Sequence, residues 1–277
     1  MFEAVGASVI NARSIAAQIL WLFGRFCEFS ARAMYETFVT SPWRAKFWRL
    51  VVPQSYEVGF RTVPVILITG TFVGLVLAVS SVAQFKSVGV EDRIGVVINI
   101  SIVRELGPVL AAVMLAGRIG GALTAELGTM NVTEQIDALR CMGADPMRYL
   151  VAPRFLACLF FSPVLTIYCD LMGFLGGWFI AVVIHDIATG PYWDYSAAAI
   201  EWFDLITGFL KSVIFGGSIG LISCYKGFHC RPGAEGVGRA CTEAFVSSFI
   251  AILILDFFIA YFMQALYSAI WGFKSII

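Results

Sequence analysis

Two adjacent charged residues stand inside one of the most apolar stretches of this 277-residue sequence. Arg104 and Glu105 follow the uncharged run IGVVINISIV and precede Gly107 and Pro108. In a bilayer, each charge would cost about 2.5 to 3.5 kcal/mol at the centre on the translocon scale. Neighbouring side chains on a helix point about 100° apart, so each charge needs its own partner or a wet cavity. We expect a polar spot that suits a charged head group; the alternative is a position near the outer interface.

Three further charged residues lie inside apolar segments. Arg118 follows in the same run, and Asp170 and Asp256 each stand midway along a later apolar segment. Charges inside a membrane usually pair with one another. We therefore predict that Arg118 pairs with Asp170 or Asp256 and joins the helices of a bundle.

The composition indicates a membrane protein. Of the residues, 59% are hydrophobic and 14% are charged, whereas a soluble domain has about 25% charged residues. The formal net charge of zero gives no indication of nucleic-acid binding. The seven cysteines form no CxxC pair, so we interpret them as packing residues rather than as disulfides or a metal site. The N-terminal stretch lacks the pattern of a cleavable signal peptide.

Apolar runs and polar breaks predict an all-α integral membrane protein. Residues 8–38 are apolar but interrupted by polar residues every seven positions, which indicates an N-terminal amphipathic helix lying in the interface. About five transmembrane helices follow, near 62–86, 94–122, 152–184, 205–225 and 245–270. The third is long, so we expect tilt or a kink at Pro163. Four spans contain GxxxG pairs, which favour close helix packing or a dimer: Gly70/Gly74, Gly117/Gly121, Gly173/Gly177 and Gly216/Gly220.

The distribution of basic residues predicts the orientation. Seven Lys and Arg residues lie in the N-terminal segment, three in 123–154 and three in 226–243, against three on the other side. By the positive-inside rule we expect the N-terminus and both long polar loops to be cytoplasmic, and the C-terminus to lie outside.

The segment NVTEQIDALRCMGADP predicts a short cytoplasmic helix. Asn131 is a suitable N-cap, Glu134 completes a capping box, and Gly143 is placed to end the helix. Ile136 and Leu139 fall on one face with Val132. That apolar stripe packs either on the chain's own bundle or in a groove of a partner protein.

A stripe on the first span could form the apolar part of a cavity. Leu77, Gln84 and Phe85 follow one side of that helix. Ordinary packing within the bundle is the alternative for each of them.

At these residues the sequence resembles the MlaE (YrbE) permeases. The resemblance rests on RELGPVLAAVMLAGRIGGALTAELGTMNVTEQIDALRCMGADP, on VAPRF, and on CYKGF with GAEGVGRACTEAFV. It covers roughly 53–265, which suggests an N-terminal interfacial region over 1–52 and a permease domain over 53–277. Such permeases are membrane subunits of ABC transporters that move phospholipids or related lipids between inner and outer membranes and maintain outer-membrane lipid asymmetry.

The resemblance implies a homodimer in the inner membrane with a lipid pocket between the subunits. It also implies a cytoplasmic ATPase dimer, periplasmic MCE-domain subunits, and allows for a small regulatory cytoplasmic subunit. Arg104 and Glu105 would line the lipid path, and Leu77, Gln84 and Phe85 would form its wall. The residues that would transmit nucleotide-driven motion are Glu126, Asn131, Glu134, Ile136, Asp137 and Leu139. ATP and Mg²⁺ would bind the partner, and no cofactor would bind this chain, which lacks GxxxxGK[ST].

Three other functions compete with this interpretation. A gradient-driven secondary transporter would use Arg104, Glu105, Asp170 and Asp256 as intramembrane charges, but no inverted repeat is evident. An enzyme is disfavoured because the two histidines stand in separate loops and neither HExxH nor GxSxG occurs. A purely structural membrane anchor would tolerate Glu105→Ala without loss of lipid transfer.

Overall fold

A computed structural model describes residues 20–40, 45–89 and 93–271, and this part of the chain is helical with no β-strand. The first elements are α1 (20–35, continued by a π-helical turn at Glu36–Thr40), α2 (Ala45–Val58), a 3-10 helix (Phe60–Thr62) and α3 (Val63–Val88). The next are α4 (Ile94–Ser101), a π segment (Ile102–Leu106), α5 (Gly107–Leu115), a second π segment (Ala116–Gly120), α6 (Gly121–Val132) and α7 (Gln135–Cys141). The last are α8 (Ala152–Trp178, flanked by π segments Met147–Val151 and Phe179–Ile184), α9 (Thr189–Ala199), α10 (Trp202–Phe228) and α11 (Ala234–Trp271).

Within the part of the chain that the structure describes, five segments are long and apolar enough to cross a membrane. They cover Phe47–Ser87, Ile94–Val132, Met147–Ile184, Trp202–Phe228 and Ala234–Ile270. Each predicted span lies inside one of them, so the prediction of five spans is confirmed. Pro163 lies within α8, and the helix continues through it. Of the predicted interfacial helix over 8–38, residues 8–19 lie outside the described residues.

Helix α8 is central in the bundle and packs against α3 on one side and α10 on another. In lipid, apolar side chains gain nothing by leaving their solvent, so helices associate through close packing at small residues. A Cβ placed on Gly74 would overlap the carbonyl oxygen of Gly173, and one on Gly216 would lie 2.5 Å from that of Cys158. The contact between Gly74 and Gly173 joins two of the predicted glycine pairs, and Gly216 belongs to a third, so close packing is confirmed at three of the four pairs. In the fourth, a Cβ on Gly117 would meet only the Phe245 ring at 3.5 Å.

The seven cysteines, all of which lie in the described residues, are free thiols. Cys158, Cys169 and Cys224 are buried among the packed helices. Their role as packing residues agrees with the sequence interpretation.

Helix α1 lies against the end of the bundle that carries α7. The Phe29 ring makes edge contacts with Tyr225 and Phe228 of α10, at centroid distances of 5.4 and 5.8 Å. Trp21 and Phe23 are each 63% exposed. A helix with one packed side and exposed aromatic residues fits the interfacial helix expected from the sequence.

The short helix α7 is present, but it does not begin as predicted. Helix α6 continues through Asn131 to Val132, and α7 starts after Glu134, whose φ of 57° is left-handed and whose side chain forms no cap. The capping-box prediction is therefore wrong, because Asn131 is still inside the preceding helix and its amide donates to Cys230 Sγ at 3.8 Å. The predicted end is confirmed: Gly143 has a φ of 75°, and the Ala144 N–H donates to Leu139 O at 3.1 Å.

Helix α9 lies at the opposite end of the bundle and packs on α4. Tyr192 is fully buried there, and its hydroxyl lies 3.5 Å from Asn99 Oδ1. Burial raises the pKa of Tyr192 to about 12, so the hydroxyl stays neutral and keeps its proton as a donor.

Candidate functional site: a buried charge cluster between the spans

The centre of the candidate site is Lys211 of α10, whose side chain is 0% exposed. Its Nζ lies 2.5 Å from Glu105 Oε2, 2.9 Å from Asp256 Oδ1 and 3.0 Å from the backbone oxygen of Arg104. The ammonium donates hydrogen bonds to Glu105 and to the Arg104 carbonyl, whereas its contact with Asp256 is an ion pair without an aligned hydrogen bond. Burying an unpaired charge would cost several kcal/mol, and the two carboxylates offset that cost.

The backbone oxygen in this cluster belongs to Arg104, which lies in the π segment four residues before Pro108. Proline has no N–H, so the α-helical hydrogen-bond partner of this carbonyl is missing. The Lys211 ammonium donates to that carbonyl instead. Gly208, one turn earlier in α10, lets the helices approach, since a Cβ there would lie 2.6 Å from Val103 O.

Arg104 points to a different partner from its neighbour, as the helical geometry predicts. Its Nε lies 3.0 Å from Asp204 Oδ1, and its Nη2 lies 3.5 Å from Gln264 Oε1. The other oxygen of Asp204 accepts the Glu201 N–H at 3.0 Å and so caps α10. One carboxylate therefore fixes both the start of α10 and the direction of the Arg104 guanidinium.

The cluster combines two cations with three carboxylates. With all groups ionised it carries one excess negative charge. The Glu105 side chain is 48% exposed, whereas that of Asp204 is 9% exposed and that of Asp256 is 22% exposed. Glu105 is therefore the most exposed carboxylate of the cluster. Of the three, it is the one best placed to contact a polar ligand.

The predicted pairing of Arg118 with Asp170 or Asp256 is wrong. Arg118 Nη1 donates to Thr62 Oγ1 at 2.5 Å, and Asp256 pairs with Lys211. Asp170 Oδ1 is buried against Gly107 and has no hydrogen-bond partner among the described residues. Each charged side chain pairs with a residue on the helix that faces it. The spacing of charges in the sequence does not show which helix that is.

Sequence reasoning missed Lys211, Asp204 and Gln264. Lys211 is a charged residue inside the apolar run TGFLKSVIFGG, so the criterion that singled out Arg104 applies to it equally. Asp204 precedes it by seven residues and therefore lies near the same face of α10. No comparable signal marks Gln264.

An apolar groove of about 550 Å³ lies between α3 and the start of α5. Leu77 lines it together with Leu106 and Leu110, and Leu106 directly follows Glu105 in the chain. Phe85 packs instead against the cluster around Ile94 and Ile98, and Gln84 is exposed two turns beyond Leu77. The structure thus brings only one of the three predicted wall residues to the groove.

The predicted coupling residues divide into supporting and exposed groups. Glu126 pairs with the 6%-exposed Arg154 at 2.8 Å, and Ile136 is 2% exposed, so both stabilise the chain itself. Glu134 and Asp137 are exposed, and Asp137 pairs with Arg140 of its own helix, at 2.8 Å. Ile136 packing on its own bundle matches the first of the two alternatives, whereas the exposed carboxylates leave a surface for a partner.

Among residues 20–40, 45–89 and 93–271, no group of three or more His, Cys, Asp or Glu side chains is arranged to hold a metal ion. The site consists of paired charges beside apolar surface. Together, fold and site define a multi-pass, all-helical membrane protein with a polar cluster buried between its spans.

The chain belongs to the MlaE permease family: the family profile described as Permease MlaE matches residues 51–262. It is 39% identical over 253 residues to a probable ABC transporter permease protein of Rickettsia bellii, covering 91% of this chain and 95% of that protein. It is 34% identical over 231 residues to the intermembrane phospholipid transport system permease protein MlaE of Haemophilus influenzae, covering 83% and 88%. The chloroplastic protein trigalactosyldiacylglycerol 1 of Arabidopsis thaliana is 37% identical over 215 residues, covering 78% and 61%.

Proposed function

We propose that this chain is the permease subunit of an ABC transporter that moves phospholipids between the inner and outer membranes and so maintains outer-membrane lipid asymmetry. The observation that carries the proposal is that half-exposed Glu105, paired with Lys211, directly precedes Leu106, which lines the apolar groove together with Leu77. A phospholipid has a charged head and apolar tails, and it would find both kinds of surface there. The name of the Haemophilus relative, a phospholipid transport permease, supports the same substrate class.

The proposed assembly is a homodimer in the inner membrane with its lipid pocket between the subunits. In this orientation the N-terminus and α7 are cytoplasmic and the C-terminus is periplasmic, as the basic residues predict. We place the contact between the subunits on α11, where Phe257, Phe258 and Tyr261 are 61 to 72% exposed and are not covered by the chain's own helices. MCE-domain subunits would continue the lipid path on the periplasmic side.

The energy would come from a separate cytoplasmic ATPase dimer, which binds ATP and Mg²⁺. The exposed carboxylates of α7, Glu134 and Asp137, are the proposed contact points. The buried Ile136 side chain packs α7 against the chain's own bundle. A displacement of α7 by the ATPase would therefore be transmitted to α6 and the rest of the second span.

The test is ATP-driven phospholipid transfer between vesicles by the purified complex. Glu105→Gln removes the exposed charge while keeping the side-chain size, and we expect transfer to fall about tenfold or more with assembly intact. Glu57→Gln, a matched control outside the cluster that pairs with Arg61 at 2.9 Å, is expected to transfer lipid normally. Unchanged transfer in Glu105→Gln would reject the lipid-path role.

The row of ionisable groups formed by Glu105, Lys211 and Asp256 also suits a proton relay, which keeps a gradient-driven transporter as the second candidate. A proton ionophore separates the two functions. Transfer that survives the ionophore but stops when ATP is withheld supports the ABC transporter; the reverse pattern supports the secondary transporter.

A further inference from the structure

A second cavity, of about 600 Å³, lies outside the charge cluster and outside the apolar groove. It is bounded by α1, by the loop that follows α7 and by the end of α10. We call it the arginine pocket, because Arg25, Arg32 and Arg140 line it. Its volume falls in the range of small-molecule sites, which is about 300 to 1,000 Å³.

The lining of the arginine pocket favours an anion. The lining contains three guanidinium groups and two carboxylates, those of Glu28 and Asp145. Arg32 pairs with Asp145 at 3.1 Å, and Arg140 donates one of its N–H groups to Asp137 at 2.8 Å. A guanidinium has five N–H donors, so these pairs leave donors for a ligand.

Arg25 is the cation best able to bind an incoming anion. Its guanidinium lies over the Trp21 ring, 4.9 Å from the ring centroid, and it forms no ion pair with any residue that the structure describes. Stacking on an aromatic ring restricts the guanidinium while leaving its N–H edge free for a phosphate oxygen. Arginine forks match phosphate geometry bidentately.

The surroundings favour a lipid over a free anion. Phe29, Met147 and Phe228 provide apolar lining within the pocket. Outside it, Trp21 and Phe23 of α1 are exposed, and tryptophan is enriched at the depth of lipid head groups. Basic pockets between helices at the cytoplasmic side of membrane proteins bind anionic head groups.

We propose that the arginine pocket binds the phosphate head group of an anionic phospholipid from the leaflet on which α1 lies. The phosphate contacts Arg25 and Arg140, and the acyl chains run along the exposed apolar side of α1. This site is separate from the proposed lipid path. A negative result for the arginine pocket would therefore not argue against the proposed transport function.

The experiment is native mass spectrometry of the full complex, titrated with phosphatidylglycerol or with phosphatidylcholine of the same acyl chains. We expect one additional phosphatidylglycerol per protomer. Each arginine near a membrane surface contributes about 1 kcal/mol, or about a fivefold change in affinity, so Arg25→Gln with Arg140→Gln should weaken that binding about 25-fold. Arg61→Gln removes an exposed arginine that does not line the pocket and is expected to bind normally.

A variant that is expected to bind more tightly serves as a second test, because misfolding would not increase lipid binding. Glu28→Gln removes one carboxylate from the lining and should strengthen phosphatidylglycerol binding about fivefold. Equal binding of the two lipids, or no response to either the arginine or the Glu28 substitutions, would overturn the proposal. Displacement of phosphatidylglycerol by millimolar inorganic phosphate would also overturn it, because the pocket would then be a site for free phosphate.

Discussion

At the scale of single residues, Lys211 of α10 joins the second and fifth spans to the fourth through one ammonium group. Its partners are Glu105 and the Arg104 carbonyl, both in the π segment before α5, and Asp256 of α11. None of these partners is close to Lys211 in sequence. The contact therefore forms only when the second, fourth and fifth spans are packed together.

Replacing Lys211 by methionine should destabilise the protein strongly. The change keeps the length of the side chain but leaves the Asp256 carboxylate without its partner, and breaking a buried pair in this way costs about 3 to 5 kcal/mol. The measurement is unfolding in detergent by SDS titration. Adding Asp256→Asn to Lys211→Met should restore part of the loss, because a neutral amide is less costly to bury than a carboxylate.

A matched control is Lys226→Met, since Lys226 pairs with Glu243 at 3.0 Å near the end of α10 and is 29% exposed. Partly exposed pairs contribute about 1 kcal/mol or less, so we expect a much smaller change in the free energy of unfolding. Equal losses in the two variants would contradict the assignment of Lys211 as the buried centre.

The sequence predicts the positions of the intramembrane charges correctly, but it predicts their pairing partners poorly. Arg104 and Glu105 were recognised as costly in lipid, and the structure gives each its own partner. The partner of Arg118 was wrong because pairing depends on which helices face each other, and no periodicity within one span contains that information. Glu105 and Lys211, the central pair, lie 106 positions apart in the chain.

At the scale of elements, the contact of α3 with α8 depends on glycine. We expect Gly74→Val to separate these helices and reduce folded yield, because its Cβ would overlap the Gly173 carbonyl. Size-exclusion profiles of the purified protein measure the effect. Gly190→Val is the control, since a Cβ at Gly190 has no atom within 4 Å. Normal profiles for Gly74→Val would contradict this packing.

Helix α7 offers a prediction that separates docking from folding. Glu134→Lys with Asp137→Lys reverses two exposed charges, and Leu139→Arg adds a third change on the same helix, so we expect loss of the ATPase with the permease still folded. Ile136→Arg should damage the permease itself, because this side chain is 2% exposed. Co-purification with the ATPase and thermal stability are the two readouts. Retention of the ATPase after all three changes would contradict the docking surface.

The start of α7 shows why a local signal can fail. Asn131 and Glu134 have the spacing of a capping box, but α6 continues past Asn131 as the end of a long membrane segment. Packing of that segment against α10 and α11 overrides the local preference of asparagine. Gly143 kept its predicted role because its left-handed backbone depends on the residue itself.

At the scale of the whole molecule, the fifth span is the part least covered by its own chain. Phe257 and Tyr261 of α11 are 65% and 72% exposed. Single cysteines at positions 250, 254, 257 and 261, in a background with Cys27→Ser and Cys141→Ser, should give disulfide-linked dimers at one position or more. Cysteines at the exposed Ile167 and Leu171 of α8 are the controls. Cross-linking only at the control positions would contradict a dimer through α11.

The two π segments in the second span set the relative rotation of the helices on either side of them. A π-helical turn closes its hydrogen bonds one residue later than an α-helical turn, so each segment acts as a one-residue insertion in a regular helix. Every side chain beyond it is rotated by about 100° relative to an uninterrupted helix. A single-residue deletion within Ile102–Leu106 would keep the span helical, yet it would turn α4 away from the contacts it makes with α9. The number of residues in this segment therefore helps to set how α4 meets α9.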